Sequence, residues 1–194
     1  MAANNFWSSK TSSPKRSYRF LLSIGGAGSG IGGEDNSWLV TQVKKPSVTV
    51  GEVSHKYLNH TFYYPGRVEW DTVDVTLVDP VSPNASGMLA RILEDSGYLI
   101  PGNSTATTAI TKEKAVDALG VVTIKQIGND TNDAVETWVL HNAFITNIDW
   151  GELNYESDDL TNITVTLRYD YATCETPGTD RGKGEGTFFR TTTA

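Results

Sequence analysis

One cysteine, Cys174, stands in 194 residues, so neither an intrachain disulfide nor a cysteine-built zinc cage is available. Histidines number three, at 55, 60 and 141. On one extended strand His55 and His60 would point to opposite faces, and no third ligand stands nearby in sequence, so no metal site is expected. Cations are scarce: Lys and Arg number 16 against 23 Asp and Glu, giving a net charge of -7 and a pI near 4.9. A protein that grips nucleic acid by neutralising phosphates needs clustered cations, and that class is excluded. No apolar run approaches the roughly 18 residues of a membrane helix, and MAANNFWSSK has no apolar signal core. With 38% hydrophobic and 20% charged residues the chain reads as globular rather than disordered, with the length of one domain. The expectation is a soluble, acidic domain made in a reducing compartment.

The charge is unevenly spread. Residues 1–20 carry Lys10, Lys15, Arg16 and Arg19 and no acid, a local +4 that leaves -11 on the rest. The densest acidic stretch is Asp149, Glu152, Glu156, Asp158 and Asp159, with no base among them. A basic arm on an acidic body is either a solvated tail or a segment that docks on another copy.

Threonine makes up about one residue in eight, and Val and Ile are frequent, which favours strands because β-branched side chains fit a pleated surface. In residues 163–171 every odd position is apolar or aromatic and every even one polar, predicting one long half-buried strand. Val73, Val75 and Leu77 alternate with Thr72, Asp74 and Thr76 in the same way. Shorter strands are predicted at 18–24, 37–43, 47–53, 59–64, 119–127, 135–141 and 143–150. Met88, Leu89, Ile92 and Leu93 recur at helical spacing between Asn84 and Gly97, predicting a helix over about 83–97. A second candidate helix runs from a Thr111 cap to a stop at Gly120. The fold class is therefore mainly β: packed antiparallel sheets, as a sandwich or barrel, with one flanking α-helix. The organisation reads as an N-terminal arm (1–16), a β domain (17–174) and a Gly-rich C-terminal arm (175–194).

No catalytic constellation emerges. Gly28-x-Gly30-x-x-Gly33 matches a dinucleotide fingerprint formally, but Trp38-Leu39-Val40-Thr41 after it reads as strand where a phosphate-receiving helix is required. The run from Gly25 to Gly33 is better read as a flexible hairpin loop. There is no G-x-S-x-G elbow, and Cys174 has no companion motif. The carboxylates of Asp158 and Asp159 would point apart on a strand. The sequons at Asn59, Asn84, Asn103, Asn129 and Asn162 follow from a Thr- and Asn-rich composition. Lys44-Lys45-Pro46 reads as a solvated strand end, and Trp70, Trp138 and Trp150 as core or interface side chains. Catalytic, cofactor and metal residues are thus all expected to be absent, and the chain suits a subunit that works by assembly.

Two stretches carry a resemblance. The first is Val48–Glu52 through Asn59–Trp70, with Gly66-Arg67-Val68-Glu69-Trp70, then Val73–Pro80. The second is Trp138–Leu153, then Ser157–Leu160 and Ile163–Tyr171. Together, over roughly residues 17–172, they resemble the tail tube proteins of contractile-tailed bacteriophages. The resemblance implies hexameric rings whose inner strands join into one continuous barrel across subunits. Rings would stack into a hollow tube inside a contractile sheath. Implied partners are further copies, the sheath protein, baseplate and tail terminator proteins, and DNA as a transient passenger, with no membrane. The implied location is the phage tail of a virion, assembled in the bacterial cytoplasm.

A duct for DNA should not bind it, so a polar, acid-leaning wall is expected to line the lumen. The wet faces available are Thr72, Asp74 and Thr76 on one strand and Thr164, Thr166, Arg168 and Asp170 on another. Residues 53–65, aromatic yet poorly alternating, are expected to reach over a neighbouring subunit. The inter-subunit candidates are Lys10, Lys15, Arg16, His55, Tyr57, Phe62, Tyr63, Tyr64 and Arg67. Alternatives are a tube initiator or baseplate adaptor of the same fold, a secretion-system ring with protein cargo, and a carbohydrate-binding β-sandwich module.

Overall fold

The computed structural model describes residues 14–25, 31, 36–100, 102, 109–128, 134–156 and 158–190. Eleven strands and two helices follow one another in these residues. In chain order they are β1 (Phe20–Ile24), β2 (Val40–Val43), β3 (Val48–Tyr57), β4 (His60–Trp70) and β5 (Val73–Val78). Then come α1 (Ala85–Asp95), α2 (Lys112–Leu119), β6 (Val122–Ile127), β7 (Ala134–His141) and β8 (Phe144–Asp149). The last three strands are β9 (Asn162–Arg168), β10 (Tyr171–Thr176) and β11 (Gly186–Phe188).

Two antiparallel sheets form the body. One has the order β1-β6-β7-β10-β11, the other β2-β5-β9-β8. Their facing sides share one core, with Leu22, Val122, Ile124 and Leu140 from the first and Val73, Val75, Leu77, Ile163, Val165 and Leu167 from the second. Each contributes alternate residues, which is why the period-two pattern was legible. Ala85, Leu89 and Ile92 of α1 and Ala118 and Leu119 of α2 enter the same core. The mainly β class is thus observed, and the flanking helices number two rather than one.

Both helices have the ends that their sequences specify. Asn84 accepts from the Gly87 N–H at 2.7 Å, and Thr111 from the Lys114 N–H at 3.3 Å. At the end of α1 the Gly97 N–H reaches the Glu94 carbonyl at 2.9 Å and the Tyr98 N–H reaches Leu93 at 3.3 Å, a Schellman motif around Gly97 at φ +104°.

The predicted strand over 163–171 is two strands in different sheets. The chain bends at Tyr169-Asp170, so β9 ends at Arg168 and β10 begins at Tyr171 in the other sheet. The bend also shifts the parity: Ala172 and Cys174 point inward, while Tyr171 stacks on His141 with centroids 4.4 Å apart. The C-terminal segment is not a free arm from residue 175. β11 pairs with β10, and Phe189 sits against Trp70 (5.4 Å) and Trp138 (6.3 Å). These ring contacts tie the Gly-rich return to the body, while Phe189 itself stays 54% exposed. The 25–33 loop lies largely outside the described residues; Ile31 within it is buried and accepts from the Ile24 N–H at 3.3 Å.

Candidate functional site: a polar sheet face and a projecting arm

The four-stranded sheet buries one face and leaves the other polar. Across it run two rungs of opposed residues, Gln42–Thr76–Thr164–Asp149 and Asp74–Thr166–Asn147. Within the second, the Thr166 hydroxyl donates to Asp74 Oδ1 at 2.9 Å. The Thr41 and Thr146 hydroxyls donate to the carbonyls of Thr76 and Thr166, each at 3.1 Å, which ties outer strands to inner ones by side chains as well as by the ladder. Of the expected lumen residues, Asp74, Thr76, Thr164 and Thr166 therefore share one face, with Arg168 opposite Phe144 at its end and Thr72 just ahead of β5.

Asp170 departs from that row. It lies past the bend, where Lys112 of α2 donates to both its carboxylate oxygens at 2.7 and 2.8 Å and Asn142 donates at 2.8 Å. Those hydrogen bonds, the Lys112 one foremost, hold its carboxyl below the usual carboxylate range.

β3 and β4 stand apart from both sheets and pair only with each other. All of β3 is exposed, and all of β4 except Thr61 and Trp70. The sequence suggested two short strands; the observed arm is longer, 10 residues out and 11 back around Leu58-Asn59. At a rise of about 3.3 Å per residue, strands of this length reach roughly 30 Å. His55, Tyr57, Phe62, Tyr63, Tyr64 and Arg67 all lie on it. His55 and His60 are not on opposite faces, because the turn between them puts them on different strands. His55 opposes Phe62 and His60 opposes Tyr57, on one face, with His60 edge-on to Phe62 at 4.7 Å.

The arm changes sides along its length. Near the body, Val48 opposes Trp70 and Val50 opposes Val68 on one face, while Thr49 and Glu69 occupy the other. Beyond Gly51, the pairs Val53–Tyr64, His55–Phe62 and Tyr57–His60, largely aromatic, lie on the face that was polar. The crossover coincides with a bulge, where Gly66 and Arg67 together oppose Gly51. A Cβ on Gly66 would sit 3.0 Å from the Gly51 carbonyl oxygen, so the close approach requires glycine. Along β3 the inward parity thus changes from even (Val48, Val50) to odd (Val53, His55, Tyr57), while on β4 the bulge absorbs the change.

The arm base is gripped from both sheets. The Lys44 N–H donates to the Asp74 carbonyl and the Asp71 N–H to the Ser47 carbonyl, each at 2.9 Å. Lys45, expected in solvent, instead donates to Glu136 at 2.8 Å and to Gln126 at 2.6 Å. Lys15 and the Trp138 indole also donate to Glu136. Burial pushes the Glu136 carboxyl up, but these donors outweigh it and hold it down at about 2. Glu136 was not singled out in the sequence; the signal was its even-numbered place beside the inward Trp138 and Leu140. Lys15 is thus tied within its own chain, the Arg16 carbonyl accepts from Gln126 at 3.2 Å, and Lys10 lies outside the described residues.

A third feature sits at the opposite end of the four-stranded sheet. The arm leaves where Val73 pairs with Leu167; the loop from β8 to β9 lies where Val78 pairs with Asn162. That loop carries the acidic stretch together with exposed Trp150, Leu153, Tyr155 and Leu160. Gly151, at φ +80°, lets the chain leave β8: a Cβ there would meet the Asn162 carbonyl oxygen at 2.5 Å. Among the described residues no group of three or more His, Cys, Asp and Glu is placed to hold a metal, and no helix is long and apolar enough to cross a membrane.

No family model and no curated protein matches the chain. Solved structures do. A chain from the six-fold symmetrised cryo-EM structure of the anti-feeding prophage baseplate is 17% identical with a TM-score of 0.60, covering 84% of this chain and 97% of that one. A chain from the anti-feeding prophage tube-terminating cap is 16% identical with a TM-score of 0.60, over 91% and 99%. A chain from the extended PVC sheath-tube complex, an extracellular contractile injection system, is 17% identical with a TM-score of 0.58, over 86% and 94%. Agreement over nearly the whole of each chain, at such low identity, is agreement of architecture. The chain has the contractile-tail tube protein fold.

Proposed function

We propose that this chain is the structural subunit of a bacteriophage tail tube. Six copies close a ring, rings stack into a hollow conduit inside a contractile sheath, and DNA passes through at ejection. The observation that carries this reading is the four-stranded sheet, polar on one face and open at both edges, β2 and β8. Pairing β2 of one copy with β8 of the next would remove both edges and join the polar faces into one continuous wall. Thr72, Asp74, Thr76, Thr164, Thr166 and Arg168 then line the lumen, beside Asp149 and Asn147. Such a wall offers hydroxyls and carboxylates to passing phosphates, and little that would hold them.

The arm and the N-terminal segment make the contacts between copies, with sheath, baseplate and terminator as the tube's partners. The tube is assembled in the host cytoplasm and ends in the virion. It needs no cofactor and performs no catalysis. Negative-stain electron microscopy of the purified chain tests the reading: uniform hollow rings or rods are expected, and a monodisperse monomer at high concentration would refute it.

A second reading is favoured by the similarity to chains from the baseplate and tube-cap structures. It is a tube initiator or adaptor of the same fold, present in few copies. Such a chain would form single rings that do not lengthen.

A further inference from the structure

The two sheets separate at one side of the body, where the edge strands β1 and β2 come close without pairing. The gap is a cavity of about 600 Å³. Phe20, Val43, Ile124 and Trp138 supply its apolar lining, at the margin of the shared core. Lys15 and Lys45 line it as well, with side chains 47% and 45% exposed, and no carboxylate does. A cavity of this size takes a small ligand, and a few polar groups on an apolar lining set how that ligand lies.

The two ammonium groups are anchored on buried partners. Lys15 donates to one oxygen of Glu136 and Lys45 to the other at 2.8 Å, and Lys45 also donates to Gln126 at 2.6 Å. Glu136 and Gln126 are each 8% exposed, so the lysine heads are held against fixed groups. One lysine would neutralise Glu136. The second leaves the cluster, two cations and one carboxylate, at +1 beside an apolar cavity. An ammonium has three N–H donors. Among the described residues Lys45 uses two of them and Lys15 one, which leaves one on Lys45 and two on Lys15 for a ligand. An unbalanced positive charge at an apolar wall, with donors to spare, is complementary to an anion.

We infer that this cleft binds a small amphipathic monoanion, an aromatic carboxylate, with the carboxylate between Lys15 and Lys45 and the ring against Phe20 and Trp138. One negative charge matches the +1 of the cluster, whereas a phosphate dianion would leave an excess negative charge in an apolar setting. Glu136 does not line the cavity. It is a positioning residue that holds both lysines and sets the charge the cavity accepts. The site lies within one chain and stands whether or not that chain closes rings.

Equilibrium dialysis of the full chain against 2-naphthoate tests this, with 2-naphthylmethanol and 2-naphthylmethylamine as neutral and cationic controls. Saturable binding of a single naphthoate per chain is expected, with a Kd of about 1 mM or tighter. The alcohol is expected to bind roughly tenfold more weakly, and the amine not at all. Lys15→Met brings the cluster to neutral and is expected to abolish the preference for the acid over the alcohol. Adding Glu136→Gln to Lys15→Met brings back +1 and with it the preference. Glu136→Gln alone, at +2, is expected to favour 2-naphthyl phosphate over naphthoate. Val43→Trp fills the cavity and is expected to remove binding, and thermal unfolding checks that each variant folds. Naphthoate held no more tightly than the alcohol, or held equally by the wild-type and Lys15→Met chains, overturns the inference. Binding that survives Val43→Trp lies elsewhere on the chain and overturns it too.

Discussion

Asp74 and Thr166 face each other across the β5–β9 ladder, and the threonine hydroxyl donates to the carboxylate at 2.9 Å on the polar side of the sheet. A hydrogen bond to a charged acceptor at a half-buried site contributes about 1–2 kcal/mol. Thr166→Val keeps the side-chain shape and removes the donor. A fall in melting temperature of about 2–4 °C per kcal/mol lost is expected by differential scanning calorimetry.

The same carboxylate tests the wall. Asp74→Lys reverses one charge per copy on the polar face and leaves the apolar side of β5 untouched. Tubes built from this variant are expected to retain short double-stranded DNA at low salt and to release it as salt rises, because each added cation contributes a counterion-release increment. Filter retention of labelled DNA by wild-type and variant tubes measures this. Equal retention would place Asp74 away from the lumen.

Glu136 predicts the acid limit of stability. Its carboxyl is held at about 2, against an ordinary 4.5, by Lys15, Lys45 and the Trp138 indole. A folded-state value below the unfolded one makes stability complete above about 4.5 and lost as pH falls through about 2. The contribution is no more than about 3 kcal/mol, since both lysines are nearly half exposed. Glu136→Gln should lower the melting temperature at neutral pH and flatten its decline between those two values. A parallel decline in both proteins would contradict this.

Gly97, just past the end of α1, has no room for a side chain. It sits at φ +104°, and a Cβ would lie 2.7 Å from the Ala109 carbonyl oxygen. Gly97→Ala therefore meets both conformational strain and a backbone clash, at a cost of about 1–3 kcal/mol. Chemical denaturation should show a lower midpoint with an unchanged slope.

The strands and helices were legible where each needs only local chemistry. β5 and β9 alternate because one face of each meets the core, and α1 and α2 begin and end on side chains next to their own backbones. The sheet assignment was not legible. Tyr169 and Tyr171 continue one alternation in sequence, yet the bend between them moves the chain to the other sheet, and only the three-dimensional corner with His141 and Asn142 reveals it. His55 and His60 were misread because Leu58-Asn59 lacks the glycine that marks most tight hairpins; Leu58 nevertheless takes φ +52°. The sequence put Lys15 among the inter-subunit candidates and Lys45 on a solvated strand end, because the acid to which both donate lies 121 and 91 residues away.

The grip on the arm base also has a mechanical meaning. Lys44 bonds to β5 and Lys45 to Glu136 of β7, so adjacent residues anchor in opposite sheets. β7 is the middle strand of its sheet, flanked by β6 and β10. Tension along the arm therefore enters both layers at once and is shared by ladders loaded in shear, rather than unzipping an edge.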